Sequence, residues 1–157
     1  MRIFTGSTDA EGLRFAVISS RFNEAVCDRL LAGAVDCLQA HGAAPDAIRV
    51  YRVPGVFEIP ALCRRLATGD EVDGVVTVGA ILRGETVHFD ILAHQVPAAL
   101  LRVADDSGVP VTCGIVAAEN PEQAFARAGS KMNNKGWEAA LAAIEMATLC
   151  RATARSA

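Results

Sequence analysis

Residues 75–90 read Val-Val-Thr-Val-Gly-Ala-Ile-Leu-Arg-Gly-Glu-Thr-Val-His-Phe-Asp, and the rest of the chain can be interpreted outward from them. The first four are apolar or β-branched, which predicts a buried strand. Gly79 and Gly84 then predict a tight turn, and Glu85 and Thr86 stand where a helix would begin. Because free backbone N–H groups at the start of a helix bind anions, the stretch predicts a phosphate site at the end of a strand.

The spacing of the two glycines is that of a P-loop, but the residues between and after them are not. Glu85 stands where a P-loop has its lysine, and a carboxylate there would repel a triphosphate. We therefore expect a site for a monophosphate or a phosphate ester rather than for a nucleoside triphosphate. His88 lies two residues beyond Thr86, so a side chain that titrates near neutral pH is within reach of the bound group. By itself, the stretch would favour an ordinary polar helix N-terminus with a chance histidine.

Strand and helix patterns alternate along the whole chain. Strands are predicted at residues 15–20, 48–53, 74–80 and 109–116, and helices at residues 23–41, 56–68, 85–108, 121–129 and 137–151. Asn23 and Asn120 are expected to cap the helices that follow them, and Pro97 to kink the third helix. The alternation predicts an α/β fold over residues 1–157: a single, flavodoxin-like, three-layer α/β/α domain around a four-stranded parallel sheet.

Composition excludes several classes of function. The 157 residues are 52% hydrophobic and carry a net charge of -3 with no basic cluster, so nucleic acid is not an expected partner. No stretch is long enough to cross a membrane, and the N-terminus does not resemble a signal peptide, so we expect a cytoplasmic protein. The five cysteines lack any C-x-x-C pair, which predicts reduced thiols, and their spacing gives no indication of a metal site.

Several other candidate residues fall where strands end. Right-handed crossovers bring the carboxyl ends of parallel strands to one edge, where ligands of open sheets bind. Phe22 and Phe57 follow the first two strands, and each is either core or a surface on which a flat ring stacks. Glu58 could accept hydrogen bonds from ring N–H groups or simply complement a helix dipole. Beside a phosphate site, two aromatics at this edge favour a planar heterocycle as ligand.

Several separate motifs occur in the order and at the spacing found in lumazine synthases. They are Phe22-Asn23, residues 53–60, Gly79-Ala80, residues 83–86, His88-Phe89-Asp90, residues 108–111, Arg127-Ala128-Gly129 and Asn134-Lys135-Gly136. The chain resembles that family from about residue 13 to residue 149. The resemblance implies a transferase of riboflavin biosynthesis that condenses 5-amino-6-(D-ribitylamino)uracil with 3,4-dihydroxy-2-butanone 4-phosphate. The implied products are 6,7-dimethyl-8-ribityllumazine, phosphate and water, formed without a cofactor or metal.

The resemblance also implies roles for individual residues. His88 would move protons during the reaction. The ribitylaminouracil would contact Phe22, Val56, Phe57, Glu58, Ala80, Ile81, Leu82 and Cys113. The butanone phosphate would be bound by Glu85, Thr86, Arg127, Lys131 and Lys135, with Arg127 supplied by a neighbouring subunit. Without the resemblance, a lone arginine or lysine at these positions would be interpreted as a solvated side chain.

The implied assembly is a homopentamer, and many members of the family close twelve pentamers into a hollow icosahedral capsid of 60 subunits. Residues 1–12 would then be extended and pair with a neighbouring subunit, and riboflavin synthase is an implied partner. The chain departs from the family pattern at several positions. Cys113 stands where a phenylalanine is common, Pro97 lies within a helix, and Ser130 and Asn133 alter a glycine-rich joint.

Two other functions are compatible with the same pattern. One is a riboflavin synthase of the related archaeal type, which the motifs around Phe57 and His88 disfavour. The other is a non-catalytic protein that binds flavin or lumazine. Such a binder has no need of a proton carrier beside a set of cations, so the presence of His88, Arg127 and Lys135 together favours the enzyme.

Overall fold

Four parallel strands form the centre of the molecule in a computed structural model, which describes residues 1–69 and 71–154 apart from the side chain of Met132. The strands are β1 (Phe15–Ser20), β2 (Ile48–Val53), β3 (Gly74–Leu82) and β4 (Val111–Ala118). They lie in the order β2-β1-β3-β4, and each neighbouring pair is parallel. This order leaves β2 and β4 at the two edges of the sheet.

Within residues 1–69 and 71–154, five helices connect or follow these strands. They are α1 (Glu24–Ala40), α2 (Ile59–Ala67), α3 (His88–Ser107), α4 (Pro121–Ala126) and α5 (Lys135–Ala154), with short 3-10 turns at Pro45–Ala47, Val56–Glu58 and Lys131–Asn133. None of the helices in the described ranges is long and apolar enough to cross a membrane.

The hydrophobic core consists of two layers because side chains alternate between the faces of the sheet. Phe15 and Val17 of β1 point to the face that α1 and α5 cover. Ala16 and Ile18 of the same strand point to the face that α2 and α3 cover. The predicted three-layer, flavodoxin-like domain with a parallel sheet is therefore confirmed.

The prediction of a turn bracketed by two glycines was wrong. Gly79 lies inside β3, which continues to Leu82. A β-carbon at Gly79 would lie 2.7 Å from Cγ1 of Val56, so a glycine is needed there because the Val56 side chain packs against the strand. Gly84 has no such neighbour within 4 Å and does not adopt a left-handed φ.

Helix starts were predicted with mixed success. Asn120 caps α4 as expected, since its side chain accepts a hydrogen bond from the Gln123 N–H at 2.9 Å. Asn23 occupies the N-cap position of α1 as predicted, but its side chain makes no capping hydrogen bond there. Helix α3 begins at His88 rather than near Glu85, and it contains Pro97 within its length. Whether Pro97 kinks the helix stays a prediction.

The N-terminal segment contacts its own chain in part. The N–H of Ser7 donates to Oγ1 of Thr148 on α5 at 2.8 Å, and the N–H of Ala10 donates to the carbonyl of His41 at 2.8 Å. Residues 1–5 are exposed. From about Ser7 onward, the segment therefore contacts its own chain, and its pairing with a neighbouring subunit stays a prediction.

Candidate active site

A cleft of about 490 Å³ opens at the carboxyl edge of the sheet, beyond the ends of β1, β2 and β3. It brings together most of the residues that the sequence singled out. They are Phe22, Val56, Phe57, Glu58, Ala80, Ile81, Leu82, Thr86 and His88. Asn23, Phe89 and Leu92 also line the cleft, although the sequence analysis gave them no role there.

Phe22 presents its ring to solvent on a backbone that is held on both sides. Its side chain is 73% exposed, whereas its N–H donates to the carbonyl of Pro54 at 3.1 Å. Its carbonyl accepts hydrogen bonds from Ser20 Oγ at 3.3 Å and from Cys27 Sγ at 3.1 Å. Burial raises the pKa of the Cys27 thiol, which keeps it protonated as a donor. An exposed ring on a fixed backbone is suited to stacking on a planar ligand.

The 3-10 turn Val56–Glu58 forms the opposite wall of the cleft. Val56 is buried against β3 and anchors the turn, while Phe57 is 70% exposed at the mouth of the cleft. The Glu58 carboxylate folds toward Gly55, where a β-carbon would lie 3.1 Å from Oε2. The turn therefore offers an aromatic face, a carboxylate and backbone polar groups to a ligand.

The bend between β3 and α3 carries the polar end of the cleft. His88 is the first residue of α3, and its N–H lies 3.4 Å from Oγ1 of Thr86. Thr86 and His88 are exposed and line the cleft, and Glu85 is exposed beside them. Because α3 is 20 residues long, its N-terminus presents N–H groups and a positive dipole end at this point. The cleft thus pairs an apolar, aromatic region with an anion-compatible corner.

Within the described chain, five of the predicted residues do not line this cleft, and Glu85, which lies exposed beside it, is one of them. Cys113 is exposed on the edge strand β4. Arg127 directly follows α4 and lines a separate cleft of about 590 Å³ beside the same strand. Lys131 lies over the ring of Trp137 at 5.0 Å, and Lys135 pairs with Glu138 on α5. A single chain therefore does not assemble the complete set of residues that the sequence analysis predicted.

One arginine beside the cleft was missed. Arg83, which directly follows β3, pairs with both Asp90 and Glu119 and stacks on Phe89. In the described ranges, no group of three or more His, Cys, Asp or Glu side chains is placed to bind a metal.

The fold and the cleft together define a flavodoxin-like α/β protein whose candidate small-molecule site lies at the carboxyl edge of its sheet. The model of the family described as 6,7-dimethyl-8-ribityllumazine synthase matches residues 12–151. This chain belongs to that family.

Curated relatives carry the same name. The 6,7-dimethyl-8-ribityllumazine synthase of Aquifex aeolicus (strain VF5) is 47% identical over 149 residues, which are 95% of this chain and 97% of that protein. That of Chlorobaculum tepidum is 46% identical over 144 residues, covering 92% of this chain and 93% of the relative. That of Clostridium kluyveri is 44% identical over 151 residues, covering 96% and 98%. The similarity therefore extends over nearly the whole of each protein.

Proposed function

We propose that this chain catalyses the formation of 6,7-dimethyl-8-ribityllumazine from 5-amino-6-(D-ribitylamino)uracil and 3,4-dihydroxy-2-butanone 4-phosphate. One observation carries the proposal: a single cleft combines two exposed aromatic rings, a histidine and the N-terminus of a long helix, in a member of the lumazine synthase family. The aromatic end suits the flat pyrimidine, and the helix N-terminus suits the phosphate.

The ribitylaminouracil occupies the apolar part of the cleft in this proposal. Phe22 stacks on the pyrimidine, and Phe57 and Glu58 contact the ring edge and the ribityl chain. The end of β3, with Ala80, Ile81 and Leu82, supplies further backbone contacts. This position brings the 5-amino group toward the bend that precedes α3.

The butanone phosphate occupies the polar corner, where Glu85 and Thr86 contact the phosphate through backbone N–H groups and the threonine hydroxyl. The amine attacks the ketone carbon, and loss of water gives an imine. Phosphate then leaves, and ring closure with loss of water completes the lumazine. His88 transfers protons in these steps. Much of the rate acceleration comes from orientation of the two substrates, because an amine and a ketone condense readily once they are held together.

The remaining cations come from a neighbouring chain in this proposal. Arg127 and Cys113 both lie at or beside the edge strand β4, away from the cleft of their own chain. In a cyclic homo-oligomer, each head-to-tail interface repeats the same contact, so this surface of one chain can complete the cleft of the next. We propose a pentamer in which Arg127, Lys135 and Lys131 neutralise the phosphate.

The same reasoning extends to the ends of the chain and to the larger assembly. Residues 1–157 form one domain in this proposal, and the exposed residues 1–5 pair with a neighbouring subunit. Closure of twelve pentamers into a 60-subunit shell, and association with riboflavin synthase, are the further steps that the family resemblance supports.

A direct assay tests the proposed reaction. The purified protein is mixed with the two substrates, and lumazine absorbance and free phosphate are followed over time. Both should appear together above the uncatalysed rate, and omission of either substrate should abolish both signals. Tight binding of lumazine without its formation would favour the non-catalytic alternative instead.

A further inference from the structure

The Arg83 side chain contacts two other parts of the chain, the first turn of α3 and the segment that follows β4. Its Nη1 and Nη2 atoms lie 3.2 and 3.0 Å from the two carboxylate oxygens of Asp90, and its Nε lies 2.6 Å from Oε2 of Glu119. Its guanidinium carbon lies 4.1 Å from the centre of the Phe89 ring. The backbone N–H of Arg83 also donates to the carbonyl of Ala118 at 3.0 Å. Strand β3, the first turn of α3 and the residue after β4 are therefore joined at one point.

These contacts enclose the bend that carries the polar corner of the cleft. Arg83 immediately precedes residues 84–87, and Phe89 and Asp90 follow them within the first turn of α3. The guanidinium thus links the two ends of the bend across its base. Phe89 is only 8% exposed, lines the cleft and belongs to the core beneath α3. The Arg83 guanidinium therefore stacks on a ring that is packed in the core.

The charge of Arg83 is already neutralised within this cluster. Its hydrogen bonds with Asp90 and Glu119 raise its own pKa, and the pairing lowers the pKa of the Asp90 carboxyl. Two carboxylates face one guanidinium, so the cluster as a whole is negative. A paired and stacked arginine is poorly placed to bind a second anion, whereas its planar fork is well suited to fix the position of a carboxylate.

We propose that Arg83 is a positioning residue that fixes the bend at residues 84–87 and the first turn of α3, and so the groups that receive the butanone phosphate. This inference rests on the proposed function and adds a residue to it. Arg83 acts through Asp90 and Phe89 and does not touch the substrate. It differs in this respect from Arg127, which the proposed function places on the phosphate itself.

Two substitutions test the inference against its main rival, in which Arg83 is itself a phosphate ligand. Arg83→Lys keeps the charge but loses the bidentate fork. It should raise KM for the butanone phosphate about 3- to 10-fold, as expected for a well-formed ion-pair network, and change KM for the ribitylaminouracil by less than about 2-fold. The matched control is Arg64→Lys. Arg64 is an exposed arginine of α2 that pairs with Asp106 of α3 at 2.9 Å, and its substitution should change neither KM.

Glu119→Gln separates the two roles of Arg83 more sharply, because a positioning residue and a phosphate ligand predict opposite changes in KM for the butanone phosphate. If Glu119 helps Arg83 to hold the bend, KM for the butanone phosphate should rise about 2- to 5-fold. Removal of a negative charge would by itself strengthen phosphate binding, so a rise cannot come from simple electrostatics. A fall in KM would show that Glu119 competes with substrate for Arg83, and would overturn the inference. Equal changes in both KM values for Arg83→Lys would overturn it as well.

Hydrogen exchange separates this inference from the proposed reaction. Amides of residues 84–88 should exchange faster in Arg83→Lys than in the wild type, and should be unchanged in Arg64→Lys. If the wild type formed no lumazine, the proposed function would fail, yet faster exchange would still support the positioning role. Unchanged exchange at residues 84–88 would overturn that role whatever the activity.

Discussion

The side-chain Nδ2 of Asn23 donates a hydrogen bond to the backbone carbonyl of Ala80 across 2.9 Å. It joins the loop after β1 to the end of β3, and both residues line the cleft. Asn23 adopts a left-handed backbone with φ of 62°, a conformation that asparagine tolerates better than most residues. The hydrogen bond therefore ties the residue next to Phe22 to strand β3.

Asn23→Ala should lower the free energy of unfolding by ~2–3 kcal/mol, because it removes a hydrogen bond and forces alanine into a left-handed conformation. Asn23→Gly loses the same hydrogen bond without the backbone strain, so it should retain about 1 kcal/mol more stability. Urea unfolding at a fixed protein concentration measures both variants. Equal stability of the two variants would mean that strain at φ of 62° plays no part.

Substitution of Asn134 by alanine should destabilise the fold more than the same substitution of its neighbour Asn133. Asn134 is 3% exposed, and its Nδ2 donates to the carbonyls of Arg29 and Gly129 while its Oδ1 accepts two N–H groups at the start of α5. Asn134→Ala leaves four backbone groups without this partner, one of them fully buried, and should cost ~2–4 kcal/mol of unfolding free energy. Asn133→Ala changes an exposed side chain and should cost less than about 0.5 kcal/mol. Similar melting temperatures for the two variants would contradict this account of the joint.

Phe22→Ala should weaken binding of the ribitylaminouracil without unfolding the protein. Stacking of a base on an aromatic ring is worth ~1–3 kcal/mol, so KM for this substrate should rise on the order of 10-fold. Leu101→Ala, on an exposed side chain of α3 outside the cleft lining, is the control and should leave KM unchanged. Steady-state kinetics with the other substrate saturating decide the question. A Phe22→Ala variant with wild-type KM would exclude stacking at this position.

His88→Ala should lower turnover while His94→Ala should not. Both histidines are exposed on α3, but of the two only His88 lines the cleft. General acid–base catalysis contributes ~10²–10⁴-fold, and we expect the low end because orientation carries much of this reaction. The comparison of kcat for the two variants checks the assignment. Equal kcat for His88→Ala and wild type would remove His88 from the mechanism.

The site should be shared between subunits. His88→Ala and Arg127→Ala should each be impaired alone. If the two are unfolded together and refolded as a random mixture, about a quarter of the interfaces would pair an intact His88 with an intact Arg127. Mass measurement confirms that mixed rings form, and lumazine formation then reports recovery. Activity no higher than the average of the two variants would mean that Arg127 acts within its own chain or not at all.

Much of the fold could be predicted because the buried strands are continuous apolar runs with clear stops. Strands β1 and β2 were predicted to the residue, since Arg21 and Pro54 follow them. The end of β3 was not, because Gly79 is a common turn residue and the sequence does not show that Val56 packs against it. The start of α3 was also predicted wrongly, because the residue before His88 is a valine and no side chain caps the helix.

The site could be predicted only in part, because local patterns do not show which distant side chains will meet. Phe22 and His88 were placed correctly from their positions after strands. Asn23 was interpreted as a helix cap, whereas its partner Ala80 lies 57 residues further along the chain. The pairing of Arg83 with Glu119 has a separation of 36 residues and was missed for the same reason. The cross-chain role of Arg127 has no local signal and depends on the family resemblance alone.

Turnover distinguishes a catalyst from a protein that only binds lumazine. The most direct measurement counts lumazine and phosphate formed per chain, after subtraction of the uncatalysed reaction, with both substrates in large excess. We expect many turnovers per chain, with lumazine and phosphate produced in equal amounts. Production of no more than one lumazine per chain, or of phosphate without lumazine, would contradict it.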